Sequence, residues 1–222
     1  MKYFEKSILD FIKKNDYIDT DYYIRPLIYI SDLGLSPNLN ANKSLLIYGV
    51  ELGDYLSNNG VNVCVSSYRR QEDNMIPGRG KISGSYYISS AAKAEALDRG
   101  FDEAILLNMS GKVSEGSAMN IFMVRDSTLY TTLGTDNILE GITRRSIIEI
   151  ANLLKIKFIE RQIDISELMY VAEEVFFSGT AAKMTMVNKI EGKAVSKERV
   201  IFNKINKELE NVFAGKSILS KK

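Results

Sequence analysis

Two hydrophobic periods alternate along this chain, and their order predicts its elements. Phe4, Ile8, Phe11 and Ile12 share one face of a helix, so the chain opens with an amphipathic helix. Tyr22–Ile30 is β-branched and aromatic and predicts a strand, with Pro26 pointing to an edge or bulge. Residues 32–42 hold Gly34, Pro37 and three asparagines. That composition predicts an interdomain linker at 33–42, between a small N-terminal piece at 1–32 and a large domain at 43–222.

Beyond the linker, Ser44–Val50 and Val61–Ser67 predict strands, and Tyr87–Arg99 predicts a helix stopped by Gly100. Glu103–Asn108 predicts a strand that turns at Ser110-Gly111. Asn120–Arg125 and Leu129–Thr132 predict a hairpin across Asp126-Ser127. Ile147, Ile150, Ala151 and Leu154 mark a helix face, with Thr143 as its N-cap. Ile156–Glu160 predicts a strand and Asp164–Glu167 a short capped helix. Glu174–Ser178 and Thr185–Ile190 predict strands. Ile201, Ile205, Leu209 and Val212 predict a closing helix capped by Ser196. Strands and helices mix without strict alternation, which predicts an α+β fold.

Composition narrows the function classes. The 222 residues are 45% hydrophobic and 26% charged, the balance of a soluble globular protein. A net charge of +1 offers no basic field for nucleic acid or an anionic membrane, and no apolar run approaches the ~20 residues of a membrane span. Histidine is absent, which excludes histidine bases, Ser-His-Asp triads and most zinc and iron sites, so no metal is expected. The single cysteine, Cys64, alternates with valines and reads as a small buried strand residue. One cysteine forms no internal disulfide and the start lacks a signal-peptide apolar core, so a cytoplasmic location is expected.

Three short segments and one lysine carry candidate chemistry. Lys81 lies in Gly80-Lys81-Ile82-Ser83-Gly84-Ser85-Tyr86, where small residues leave room for a flat ring beside a desolvated amine. Glu115 lies in Ser114-Glu115-Gly116-Ser117-Ala118-Met119-Asn120, beside an apolar strand. Gly141-Ile142-Thr143-Arg144 opens a helix, whose N–H groups and dipole suit an anion. Ser178-Gly179-Thr180-Ala181-Ala182 follows a strand and offers a second backbone nest. Taken singly, each has a plain reading: a solvated lysine, a turn glutamate, an ordinary N-cap, a simple turn. Together, a lysine, a carboxylate and a phosphate cradle are the parts that hold pyridoxal 5′-phosphate (PLP).

In this order the segments resemble those of class IV (fold type IV) PLP-dependent aminotransferases, the branched-chain amino acid aminotransferases above all. The likeness covers Tyr23–Tyr29, Lys81–Tyr86, SEGSAMNIF, LEGITRRSI and EEVFFSGTAAKMTMV. It implies a large PLP-binding domain with a remnant of a small N-terminal α/β domain. It implies Lys81 as the lysine that bonds the cofactor and shuttles a proton. Tyr86 would meet the ring's phenolic oxygen and Glu115 its nitrogen. The amides of Ile142 and Thr143 and the Thr180 hydroxyl would hold the phosphate. Tyr23, Arg25 and the amides of Thr180 and Ala181 would orient substrate carboxylates, and Tyr55 would line the pocket. Met119, Ser83, Ser85, Lys183 and Met186 depart from the family's usual residues.

The resemblance implies transfer of the amino group from leucine, isoleucine or valine to 2-oxoglutarate, by a homodimer or larger homo-oligomer. The family chain is longer, so a start within the small domain, with impaired activity, is also expected. Two alternatives stay open. One is another enzyme of this fold, 4-amino-4-deoxychorismate lyase or D-amino acid aminotransferase. The other is a catalytically silent PLP-fold protein.

Overall fold

The computed structural model describes residues 2–15, 21–53, 56–57, 59–195 and 198–221. Contacts divide the chain into two units, Met1–Tyr55 and Leu56–Lys222.

The first unit holds α1 (Lys2–Lys14), β1 (Tyr22–Ile30) and β2 (Lys43–Glu51). The two strands pair antiparallel along their whole length, from Tyr22 opposite Glu51 to Ile30 opposite Lys43. Residues 32–42 therefore join two strands of one sheet, and Asp32 accepts hydrogen bonds from the Asn42 backbone and side chain at 2.9 and 2.8 Å. The expected linker at 33–42 falls inside the first unit, and the division comes after Tyr55. A turn rich in Gly, Pro and Asn has the composition of a linker, and only the strand pairing separates the two.

The second unit is built on a nine-stranded mixed sheet, as the α+β reading expects. Its strands are β3 (Val61–Arg69), β4 (Glu103–Leu107), β5 (Val113–Gly116), β6 (Asn120–Arg125), β7 (Thr128–Thr131), β8 (Phe158–Glu160), β9 (Glu174–Gly179), β10 (Lys183–Ile190) and β11 (Lys193–Ala194). The order is β5-β4-β3-β10-β9-β6-β7-β8, with β11 on β10. Strand β6 is apolar on both faces because both are covered. Ile121 and Met123 pack with Val175 and Phe177 in one core, while Phe122 and Val124 pack with Phe176 in the other. That second core is closed by α3 (Ile142–Leu153), through Ile147 and Ile150, and α5 (Val200–Phe213), through Ile201 and Ile205. Helix α2 (Tyr86–Asp98) lays Ala92 and Ala96 against Cys64, Ala104 and Leu106, and α4 (Ile165–Tyr170) adds Leu168 to the first core.

Buried polar groups tie these layers. Glu174 accepts the N–H groups of Ile201 and Phe202 at 2.8 and 2.7 Å, so a strand carboxylate caps α5. The expected cap, Ser196, lies outside the described residues. The β6–β7 hairpin turns at Asp126 (φ 49°) and Ser127 (φ 56°), the left-handed pair that a tight two-residue turn requires. Gly141, extended at φ −63° and ψ 149°, is the N-cap of α3 and Thr143 stands one residue inside the helix, which corrects the expected cap.

Candidate active site

A cleft opens where strand ends of the second unit meet the N-terminus of α3. Every residue lining it belongs to Leu56–Lys222.

Lys81 is positioned by tight local turns. Gly80 donates to the Pro77 carbonyl, Ile82 to Gly80 and Ser85 to Ile82, at 2.9, 2.9 and 3.1 Å. Gly78 allows a close approach here, since a Cβ on it would meet the Asn137 carbonyl at 2.9 Å. Lys81 is exposed on the cleft, so the expected burial of its amine is not found. Its Nζ instead donates to the Tyr86 hydroxyl at 2.7 Å, and Tyr86 is the first residue of α2.

Glu115 is on β5, buried at 4% exposure. Arg70, just past β3, sits 2.8 Å from Oε1. Asn120 Nδ2 and the Leu139 N–H donate to Oε2 at 3.1 and 3.2 Å. Burial pushes the carboxyl up to about 7 against the pull of the Arg70 charge and the Leu139 N–H. Strand β5 is itself held by side chains: Ser114 donates to the Asp136 carbonyl at 2.5 Å, and Thr132 donates to the Ser114 carbonyl at 2.9 Å.

The third wall is anion-binding in character. The first-turn N–H groups of Ile142 and Thr143 lack an acceptor within α3, as in any helix start, and both residues line the cleft. The Gly141 N–H donates to Asn120 Oδ1 at 3.3 Å, and a Cβ on Gly141 would meet that oxygen at 2.5 Å. Thr180 lines the cleft from the β9–β10 hairpin turn, where Lys183 pairs with Gly179. Ala181 follows in that turn and is not on the cleft wall.

Of the residues named from sequence, the structure thus brings Lys81, Tyr86, Glu115, Ile142, Thr143 and Thr180 to one cleft. Tyr23 and Arg25 lie on β1 of the first unit, where Arg25 donates to the Tyr23 hydroxyl at 3.2 Å. Tyr55 lies outside the described residues. No role follows from the sequence for Arg70, Asn120 or Ser178, all on the cleft. Ser178 Oγ is buried and has no hydrogen-bond partner among the described residues. An unmade bond of that kind costs about 1–3 kcal/mol.

The chain belongs to the class IV amino-transferases: that family matches residues 1–190. The particular relatives agree with one another. The probable branched-chain-amino-acid aminotransferase of Synechocystis sp. is 52% identical over 209 residues, covering 94% of this chain and 68% of that protein. The branched-chain-amino-acid aminotransferase of Escherichia coli (strain K12) is 37% identical, covering 93% of this chain and 67% of that protein. The crystal structure of branched-chain aminotransferase from Thermoproteus uzoniensis with norvaline superposes with a TM-score of 0.93 at 38% identity, covering 98% of this chain and 73% of that one. The branched-chain amino acid aminotransferase from Thermobaculum terrenum, in its PLP form, gives a TM-score of 0.86 at 29% identity, covering 96% and 71%. The chain spans about two thirds of the length of the curated relatives it matches.

Class IV aminotransferases depend on PLP, and the cleft fits that group. It offers an amine for its aldehyde, a buried carboxylate for its ring nitrogen and a helix N-terminus for its phosphate, with the Ser178 hydroxyl still lacking a partner. Among the described residues no three His, Cys, Asp or Glu side chains group to hold a metal, and no helix is long and apolar enough to cross a membrane.

Proposed function

We propose that this chain catalyses PLP-dependent transfer of the amino group from leucine, isoleucine or valine to 2-oxoglutarate. The observation that carries this is the convergence, in one cleft, of Lys81 bonded to Tyr86, the ion-paired Glu115, and the α3 N-terminus beside Thr180. The relatives, branched-chain-amino-acid aminotransferases, support the branched-chain substrate class.

When bound, PLP supplies an electron sink for a carbanion at the substrate's α-carbon. Lys81 would hold the cofactor through its amine, and that amine is the group placed to carry a proton on and off that carbon. Tyr86 orients the amine through their 2.7 Å hydrogen bond. Glu115, paired with Arg70 and raised by burial to about 7, would in its ionised form hold a proton at the ring nitrogen. The Ile142 and Thr143 amides and the Thr180 hydroxyl bind the phosphate dianion. We take the cofactor domain to be Leu56–Lys222, since β2 pairs with β1. The proposal includes a cytoplasmic homodimer or larger homo-oligomer, and a sedimentation mass equal to one chain would contradict that part.

The test supplies the purified chain with PLP and 2-oxoglutarate and varies the amino donor. Glutamate is expected from leucine, isoleucine and valine. Turnover confined to D-alanine or to 4-amino-4-deoxychorismate would assign another chemistry. PLP binding with no turnover of any donor would mark a silent protein.

A further inference from the structure

We infer that Ser178 is a further cofactor-binding residue, whose hydroxyl donates a hydrogen bond to the bound PLP. This rests on the assignment of the cleft to PLP above.

The strand register sets where the hydroxyl points. Ser178 on β9 is the direct partner of Asn120 on β6, and Phe176 is the partner of Phe122. Directly opposed residues present their side chains to the same face of a sheet, and residues two apart along a strand share a face. Phe122 and Phe176 accordingly stack with ring centroids 5.3 Å apart. One step further along that face, Asn120 reaches Glu115 and the Leu139 carbonyl at the cleft. Ser178 stands beside it and lines the same cleft.

The surrounding groups leave that hydroxyl alone. Asn120 spends Nδ2 on Glu115 and the Leu139 carbonyl, and Oδ1 on the Gly141 N–H. Glu115 is taken by Arg70, Asn120 and Leu139. Ser178 itself is 1% exposed, so bulk water does not replace the missing partner. Buried hydroxyls are ordinarily bonded within the protein, as Thr131 is to the Ile121 carbonyl at 2.6 Å on the neighbouring strand. At Ser178 a hydroxyl is kept where packing alone asks for an apolar group, in a residue that lines the cofactor cleft. Its position between Asn120 and Thr180 in the chain fold puts it on the wall shared by the carboxylate and the phosphate cradle.

The test separates a ligand-binding serine from a structural one by the sign of two effects. Ser178→Ala removes an unsatisfied hydroxyl from the cofactor-free protein and a ligand contact from the loaded one. Its cofactor-free Tm is expected to equal or exceed that of the parent, while the Kd for PLP, read by fluorescence titration, rises about five- to tenfold. Ser178→Cys, a near-isostere with a weaker donor, is expected to give a smaller rise. An unchanged Kd in Ser178→Ala overturns the inference, and so does a fall in cofactor-free Tm, which would mark a structural hydroxyl. Failure of the parent chain to bind PLP is a different result, seen before any variant is made, and overturns the cofactor assignment itself.

Discussion

At Glu115 burial and charge pairing oppose each other, and burial wins. The carboxyl rises from 4.5 to about 7 despite Arg70 at 2.8 Å. The folded chain thus keeps a proton that the unfolded chain has released, so stability falls as pH rises through that window and levels off above about 7. Denaturant unfolding of cofactor-free protein across this range is expected to show the slope, and Glu115→Gln to flatten it. PLP binding has the opposite sign, because the ionised carboxylate is the form that pairs with the ring-nitrogen proton. Affinity is expected to rise with pH over the same window in the parent and to lose that rise in Glu115→Gln. The variant is expected to keep PLP within about tenfold while transamination slows by orders of magnitude. Equal rates in parent and variant would refute this role. Glu115 was legible in the sequence because it sits in a motif, whereas Arg70 was not. Its partner is far along the chain, and nothing local to Tyr68-Arg69-Arg70 distinguishes a buried arginine from an exposed one.

The start of α3 is where an element decides the chemistry. Gly141 caps the helix with its N–H on Asn120, and its missing Cβ is what lets the two approach. Gly141→Ala is expected to move either Asn120 or the helix start. PLP affinity should drop at least tenfold while the cofactor-free Tm falls by a few degrees, both readable by titration and thermal melting. Unchanged affinity would show that the helix start does not hold the phosphate. The sequence foretold this helix from Ile147, Ile150 and Ala151 but put its cap at Thr143, since threonine is the better capping side chain when only propensity is weighed. Strand β5 is not legible in the sequence for a related reason. Val113-Ser114-Glu115-Gly116 lacks an apolar run, and its polar groups are satisfied by Asp136, Thr132 and Arg70, none of them near in sequence. The long apolar strands β4, β6 and β9 were legible because sheet burial on both faces writes itself directly into composition.

Over the whole molecule, buried apolar side chains are concentrated in the second unit. Strands β4 and β6 and helices α2, α3 and α5 contribute fully buried side chains, whereas α1 contributes none and Ala41 is the one buried apolar residue of the first unit among those described. Amide hydrogen exchange is therefore expected to be fast across β1 and β2 and slowest in β4, β6 and β9. Equal protection in the two sets of strands would contradict it. The division after Tyr55 was not legible because a hairpin turn and a linker share a composition, and only pairing tells them apart. The central claim is that the cleft of the second unit is a PLP site with Lys81 as its covalent lysine. It is tested most directly by borohydride reduction of the PLP-loaded protein, followed by peptide mapping. The pyridoxyl group is expected on Lys81, and both the visible absorbance band and the label are expected to vanish in Lys81→Ala. A label fixed instead on Lys43 or Lys112, or a band that survives in Lys81→Ala, would contradict it.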